Sequence, residues 1–213
     1  MDENKLKLDI VEIGKRMYAR NYVASNDGNM SIRISDNEIL ITPSGVSKGY
    51  MSPEDMLKVD MDGNLLEGHL KPSSEMKMHL EVYKKRPDVF AVVHAHPQKA
   101  TAFAVAHQCF DKITLPEIVF SLGKVALAEY GTPSTYEIPK AVAKHIMDSD
   151  ALLLANHGAL TVGKDIFDAY YKMETLEHFA AISIYARQIG GEVALDEDEV
   201  KRLYEIKSKV FGK

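Results

Sequence analysis

Apolar residues recur at helical spacing at Leu6, Ile10, Ile13 and Met17, so the chain opens on an amphipathic helix that ends near Asn21. The period then shortens. Ile32 and Ile34, followed by Ile39 and Ile41, alternate around Ser35-Asp36-Asn37, which predicts a hairpin between Met30 and Thr42. Asp62-Gly63 marks another turn, between Leu57-Lys58-Val59-Asp60-Met61 and Asn64-Leu65-Leu66. Helical spacing returns with Met76, Leu80 and Tyr83, a face that Ser73 or Ser74 would cap and Pro87 would stop after Arg86. Glu75 falls at the amino end of this helix.

Beyond it the pattern predicts a strand from Val89 to His94, a helix from about Gln98 to Ala106 and a strand near Lys124 to Leu127. A helix from about Ser134 to Met147 and strands over Ala151–Ala155 and Ala159–Val162 follow. A long helical period from about Asp165 to Gln188 closes at Gly190-Gly191, and a last helix starts near Asp196. Helices at both ends and between strands imply an α/β protein, a three-layer α/β/α architecture around a mostly antiparallel or mixed central sheet.

Length and composition narrow the class. The 213 residues suit a single domain spanning 1–213, long enough to bury a core without disulfides. A hydrophobic share of 46% and a charged share of 27% are those of a globular chain. The net charge of −5 argues against a nucleic-acid partner, and no apolar run is long enough to span a bilayer. The acidic start lacks the basic region and apolar core of a secretory signal, so the expected location is cytoplasmic. One cysteine, Cys109, fits a reducing compartment and reads as a packing residue. The lysines, Lys84 and Lys85 among them, read as solvated surface.

The candidate chemistry centres on Val92-Val93-His94-Ala95-His96-Pro97, where an extended backbone sends residues i and i+2 to one face. His157 follows a second apolar run, Ala151–Ala155, in Asn156-His157-Gly158. Three imidazoles with the Glu75 carboxylate form the ligand set of a catalytic Zn²⁺ or similar divalent ion, whereas a structural zinc would draw on cysteines that this chain lacks. Three segments have the donors to hold an anion: Gly28-Asn29, Thr42-Pro43-Ser44-Gly45 and Pro72-Ser73-Ser74. Glycines 28 and 45 let backbone approach a ligand, and a helix amino end behind Ser73 and Ser74 favours phosphate. Read singly, all three are ordinary turns and caps.

Gly28-Asn29-Met30-Ser31, Ile41-Thr42-Pro43-Ser44-Gly45, Pro72-Ser73-Ser74-Glu75, His94-Ala95-His96 and Asn156-His157-Gly158 occur in one order along nearly the whole chain. Together they resemble the class II aldolase/adducin family. The resemblance implies a zinc-dependent aldolase that reversibly cleaves a ketose 1-phosphate, fuculose 1-phosphate or a 5-deoxypentulose 1-phosphate, to dihydroxyacetone phosphate and an aldehyde. It implies one Zn²⁺ per subunit on His94, His96 and His157, with another divalent ion as the alternative. Glu75 matches the acid/base residue, which also contacts the metal when substrate is absent. Asn29, Ser44, Gly45, Ser73 and Ser74 match the phosphate-holding positions, and a homotetramer with sites at subunit interfaces is implied.

Two positions depart from the family pattern. Pro116 or Glu117 stands where a neighbouring subunit's tyrosine would assist the aldehyde half, and Phe211 falls on another family tyrosine near the C-terminus. The aldehyde end is therefore expected to differ while the metal and phosphate halves stay. Within the same resemblance lie methylthioribulose-phosphate dehydratases and ribulose-phosphate 4-epimerases. A non-catalytic adducin-like binding module is the alternative of another class, disfavoured by the intact histidines and Glu75.

Overall fold

Asp2 accepts hydrogen bonds from the amides of Asn4 and Lys5, at 3.1 and 3.3 Å, and so starts helix α1, Glu3–Ala19. Its Ile10, Ile13 and Met17 are wholly buried, as their spacing predicts. The computed structural model describes residues 2–211; the side chain of Phe211, set above against a family tyrosine, lies outside the described residues. After α1 come strands β1 (Asn29–Arg33), β2 (Glu38–Ile41), β3 (Leu57–Asp60) and β4 (Leu65–Glu67), then helix α2 (Met76–Lys85) and strand β5 (Ala91–Ala95). Helices α3 (Gln98–Val105) and α4 (Pro116–Ser121) precede β6 (Val125–Ala128). Helix α5 (Glu137–Ala143), strands β7 (Ala151–Leu154) and β8 (Gly158–Gly163), and helices α6 (Ile166–Gln188) and α7 (Glu197–Phe211) complete the order.

The strands form one sheet in the order β4-β3-β2-β1-β5-β8-β7-β6, antiparallel throughout except where β6 runs parallel to β7. It is a mixed sheet between two helical layers, the expected α/β/α arrangement. Side chains divide by alternation. Met30, Ile32, Val93 and Ala95 join α1, α3 and α6 in one apolar core, while Val92, Leu152, Leu154 and Leu160 join α2 and α5 in the other. Asn29, Ser31 and Arg33 therefore face the α2 side, opposite Met30 and Ile32. In the β1–β5 register Asn29 pairs with His94 and Ser31 with Val92, so these polar groups and His94 look toward the same helix.

Several boundaries differ from the sequence expectation, each for a local reason. The alternation expected in the first hairpin is absent from burial: all five residues of β1 are buried, because helices cover both faces. The helix expected over Ser134–Met147 is only Glu137–Ala143, since the Pro139 ring clashes with a helical carbonyl four residues earlier and Ser134 sits at φ +66°. Helix α4, unforeseen, begins with Pro116 in its first turn, where a missing N–H costs nothing. Glu75 itself occupies the N-cap of α2, and Ser73, expected as the cap, accepts instead from the Glu75 amide at 3.2 Å. The strand expected from Val89 begins at Ala91, because the Val89 amide turns back to the Arg86 carbonyl. Cys109, read as packing, is exposed.

Leu160 is wholly buried on the α2/α5 side and lies directly across the β5–β8 ladder from His94. Leu160→Ala is expected to cost about 2–5 kcal/mol through lost transfer energy and the cavity left behind. Urea denaturation followed by circular dichroism measures it; a midpoint unchanged from wild type would show that the site collapses around the smaller residue.

Candidate metal and phosphate site

Three turns of chain meet beside the end of β5. His94 is the fourth residue of that strand and His96 follows it, while His157 sits in the tight turn between β7 and β8. Gly158, next to His157, is forced to be small: a Cβ there would lie 2.5 Å from the His96 ring and 2.6 Å from the Ala95 carbonyl. The strand alternation, the β7–β8 turn and the N-cap position of Glu75 thus bring together the four groups that the sequence pointed to.

The ligand atoms of His94, His96 and His157 all lie within 4.8 Å of one another. The Nε2 atoms of His94 and His96 are 3.2 Å apart, and Glu75 places Oε2 3.2 Å from His94 Nε2 and Oε1 3.2 Å from His157 Nε2. Around a tetrahedral Zn²⁺ with Zn–N of about 2.0–2.1 Å, neighbouring ligand atoms stand about 3.3 Å apart, so these separations fit a divalent ion. The Nδ1 of His94 donates to the Ala159 carbonyl at 2.9 Å, which directs Nε2 toward the cluster. Asp27, not singled out from sequence, places a carboxylate oxygen 3.5 Å from His96 Nδ1, on the far side of that ring. Its only signal in the sequence is its place beside Gly28-Asn29.

Burial decides the protonation of most of the cluster. It pushes His157 down to about 4 and lowers His96, reinforced in both by the neighbouring His94. Neutral imidazoles are the form that binds metal. Burial would raise the Glu75 carboxyl, but His94, His157 and the Asn29 amide together hold it well below the usual carboxylate range. For His94 burial again opposes charge, and the adjacent Glu75 overrides it and raises the imidazole.

The three anion-suited segments are tied to one another. Met30 N–H donates to Thr42 Oγ1 at 3.1 Å and Thr42 N–H to the Met30 carbonyl at 3.0 Å, joining the Gly28-Asn29 segment to the Thr42–Gly45 loop. A bridge between Pro43 and Pro72, with Ser44 N–H on the Lys71 carbonyl at 2.8 Å, joins that loop to Ser73-Ser74. Gly45 sits at φ +77° with nothing within 4 Å of where a Cβ would be, so its backbone faces open space. Gly28, at φ +73°, would drive a Cβ to 2.6 Å from Val23 and 3.0 Å from the His94 carbonyl. Its smallness seats this segment against the strand that carries the histidines.

One lysine corrects the surface reading given to the lysines as a group. Lys48 lies in a short 3-10 turn, Lys48–Tyr50, and is 1% exposed. Its Nζ donates to the Val46 carbonyl at 2.6 Å and the Asn26 carbonyl at 3.0 Å, so a buried ammonium links the loop after Gly45 to the loop before Gly28. Glu117 does not join the histidines of its own chain; it lines a separate groove with Arg20, Tyr22, Lys99 and Glu177.

The chain is similar to known proteins along most of its length. Residues 8–184 match the Class II Aldolase and Adducin N-terminal domain family. An L-fuculose phosphate aldolase of Methanococcus maripaludis is 38% identical over 175 residues, 82% of this chain and 94% of that protein. A 3-oxo-tetronate 4-phosphate decarboxylase of Haemophilus influenzae is 36% identical over 181 residues, 81% and 84% of the two chains. A 5-deoxy-D-ribulose 1-phosphate aldolase of Bacillus thuringiensis serovar kurstaki is 34% identical over 200 residues, 93% of each. A solved structure of an L-fuculose 1-phosphate aldolase superposes with a TM-score of 0.88 at 31% identity, covering 95% of each chain.

Burial pulls the Lys48 ammonium down to about 8 from its ordinary 10.5, against the opposing pull of Asp27. Between those values the unfolded chain holds a proton that the folded chain has released, so this group's contribution to stability rises with pH across the interval. Wild type is expected to gain about 3 kcal/mol over Lys48→Met between pH 8 and 10.5. Paired urea titrations of the two proteins across that range measure the difference, and parallel curves would contradict it.

Proposed function

The chain belongs to the class II aldolase and adducin family and is a lyase of that family, and from this we propose that it cleaves a ketose 1-phosphate reversibly to dihydroxyacetone phosphate and an aldehyde. The observation that carries the reading is the convergence of three imidazoles and both Glu75 oxygens on one locus, beside three mutually bonded anion-suited loops. His94, His96 and His157 would hold the divalent ion, Zn²⁺ by the nitrogen-rich donor set, with Glu75 a further contact in the absence of substrate. Bound there, such an ion supplies Lewis-acid polarisation of the substrate carbonyl and offsets the charge left on the triose fragment as the carbon–carbon bond breaks.

The chain's own groups account for the remainder. Backbone N–H groups and hydroxyls of Gly28, Asn29, Ser44, Gly45, Ser73 and Ser74 bind the phosphate, which positions the sugar's reacting carbons by an interaction remote from them. Glu75, ionised and next to the histidines, carries the proton to and from the triose carbon that gains an electron pair on cleavage. When the bond between the two fragments breaks, its electrons stay on this carbon, which is protonated through Glu75 once that carboxylate has taken a proton from water, and the aldehyde half leaves with a new C=O as its hydroxyl proton passes to water. Fuculose 1-phosphate and 5-deoxyribulose 1-phosphate are the candidate substrates, in line with the names of two aldolases similar in sequence. A homotetramer is the assembly that accompanies this reading.

A second reading is favoured by the 36% identical decarboxylase: loss of carbon dioxide from a 3-oxo acid phosphate leaves a similar charge on the fragment that is retained. The two separate by product. A coupled assay for dihydroxyacetone phosphate across both ketose phosphates, beside a carbon dioxide assay on 3-oxo-tetronate 4-phosphate, decides between them. Triose phosphate release that a chelator abolishes and Zn²⁺ restores is the expected result; no triose phosphate from any ketose phosphate would reject the aldolase.

Glu75→Gln is expected to keep its metal and lose turnover by about 10²–10⁴-fold, the range for a displaced acid/base group. His94→Ala is expected to lose metal retention itself. Metal analysis beside the coupled assay reads both, and a fully active Glu75→Gln protein would remove this carboxylate from the proton-transfer role.

A further inference from the structure

Behind Asn29 and Glu75 lies a row of buried polar groups that the metal, the phosphate and the proton transfer do not use. Glu75, His79 and Tyr83 are spaced by four along the start of α2 and so share its face, while Asn29 and Ser31 are spaced by two on β1 and share the face turned toward it. Asn29, Ser31, His79 and Tyr83 are each at most 4% exposed. Their contacts run in a line: Asn29 Nδ2 to Glu75 Oε2 at 2.8 Å, Asn29 Oδ1 to His79 Nε2 at 2.6 Å, His79 Nδ1 to Ser31 Oγ at 2.6 Å, and Ser31 Oγ to Tyr83 Oη at 2.8 Å.

Each step fixes the direction of the next. An ionised Glu75 only accepts, so Asn29 must turn its NH₂ end to the carboxylate. That leaves the Asn29 carbonyl oxygen, also only an acceptor, facing His79, and Nε2 must carry the hydrogen. A neutral imidazole protonated at Nε2 has a lone pair at Nδ1, which accepts from the Ser31 hydroxyl. With its proton so committed, Ser31 Oγ accepts from the Tyr83 phenol. Burial supports both ends of this scheme, pushing His79 down to about 3 so that the ring is neutral, and raising the Tyr83 phenol so that it keeps its proton.

We propose that His79, with Ser31 and Tyr83 behind it, is a positioning group for the Asn29–Glu75 pair: through a one-way chain of hydrogen bonds its Nε2–H anchors the Asn29 carbonyl oxygen and so holds the NH₂ end in place on the carboxylate. Without the Nε2 donor the buried Asn29 oxygen loses its partner, and the amide is free to shift away from the carboxylate to find another. His79 has no part in holding the metal or the phosphate in this scheme; it acts through the Asn29 side chain. The inference rests on the aldolase reading for its kinetic arm and on the contacts alone for its spectroscopic one.

Nitrogen-detected histidine NMR of the wild-type protein is expected to find His79 neutral, protonated at Nε2 and bare at Nδ1, whether or not any substrate turns over. An Nδ1-protonated or doubly protonated ring at neutral pH would overturn the proposal. In the coupled assay, His79→Leu is expected to lower kcat by about 10- to 100-fold with metal content unchanged, the usual scale for a group that orients a reacting one, and with KM altered far less. His79→Gln, which keeps an N–H donor toward Asn29, is expected to recover most of that loss. A His79→Leu protein with wild-type kcat, or one whose loss merely follows its metal content, would overturn the positioning role. If wild type releases no triose phosphate at all, the aldolase reading fails, and the tautomer measurement still decides the hydrogen-bond chain.

Discussion

A carboxylate held ionised with its side chain only 10% exposed is the constraint from which the site follows. An ionised carboxylate drawn out of water costs several kcal/mol unless it is paired and hydrogen-bonded. Glu75 lies 3.2 Å from two imidazoles and accepts from the Asn29 amide at 2.8 Å, and these three partners come from three separate places in the chain. β5 must pair with β1 for His94 to face Asn29, the β7–β8 turn must deliver His157, and α2 must start where it does. A carboxylate that tethers so many elements is also one placed beside three ligand nitrogens. Charge burial and candidate chemistry are a single arrangement here.

The sheet makes that arrangement tolerable. Its two middle strands, β1 and β5, are buried along their whole length, so the polar side chains on the α2 side have no water to fall back on and must satisfy each other. Ser31, His79 and Tyr83 do so; Arg33 donates to the Tyr83 carbonyl at 2.5 Å with its guanidinium 4.9 Å over the Tyr83 ring, while its Nε has no hydrogen-bond partner. On the opposite face the same strands contribute Met30, Ile32, Ala91, Val93 and Ala95 to an apolar core. Period-two alternation thus divides one pair of strands into a stabilising side and a polar side.

What the sequence made legible was whatever depends on local spacing. His94-x-His96 at a strand end, the Leu6–Met17 period and the antiparallel hairpins are short-range patterns, and the sheet keeps them. The family resemblance extended that reach to His157 and Glu75, which no spacing joins to His94. Burial that depends on the far side of the sheet was less legible. Lys48 was read with its exposed relatives because nothing adjacent in sequence marks it as enclosed, and its enclosure comes from loops 22 residues apart. His79 went unread although Glu75, His79 and Tyr83 recur every four residues, since a histidine within an apolar face carries no sign of a polar strand packed against it. Pro116 and Pro139 are local signals for helix starts; the expected elements placed nothing around the first and ran a longer helix through the second.

The metal and phosphate halves meet in one loop. Residues 26–29 place Asp27 against the outer nitrogen of His96, Gly28 against the His94 carbonyl and Asn29 against Glu75, while the Asn26 carbonyl is held by Lys48. Lys48 is in turn fastened to Val46, next to Gly45 of the anion-suited loop. A shift in this loop would therefore move a phosphate donor, a histidine's outer partner and the carboxylate's amide donor together. The positive φ of Gly28 and the crowding around its missing Cβ oppose such a shift. In the proposed reaction, binding at the phosphate end and proton transfer at the metal end would then share this loop, which is how binding energy from a remote, unreacting group can be applied at the reacting carbon.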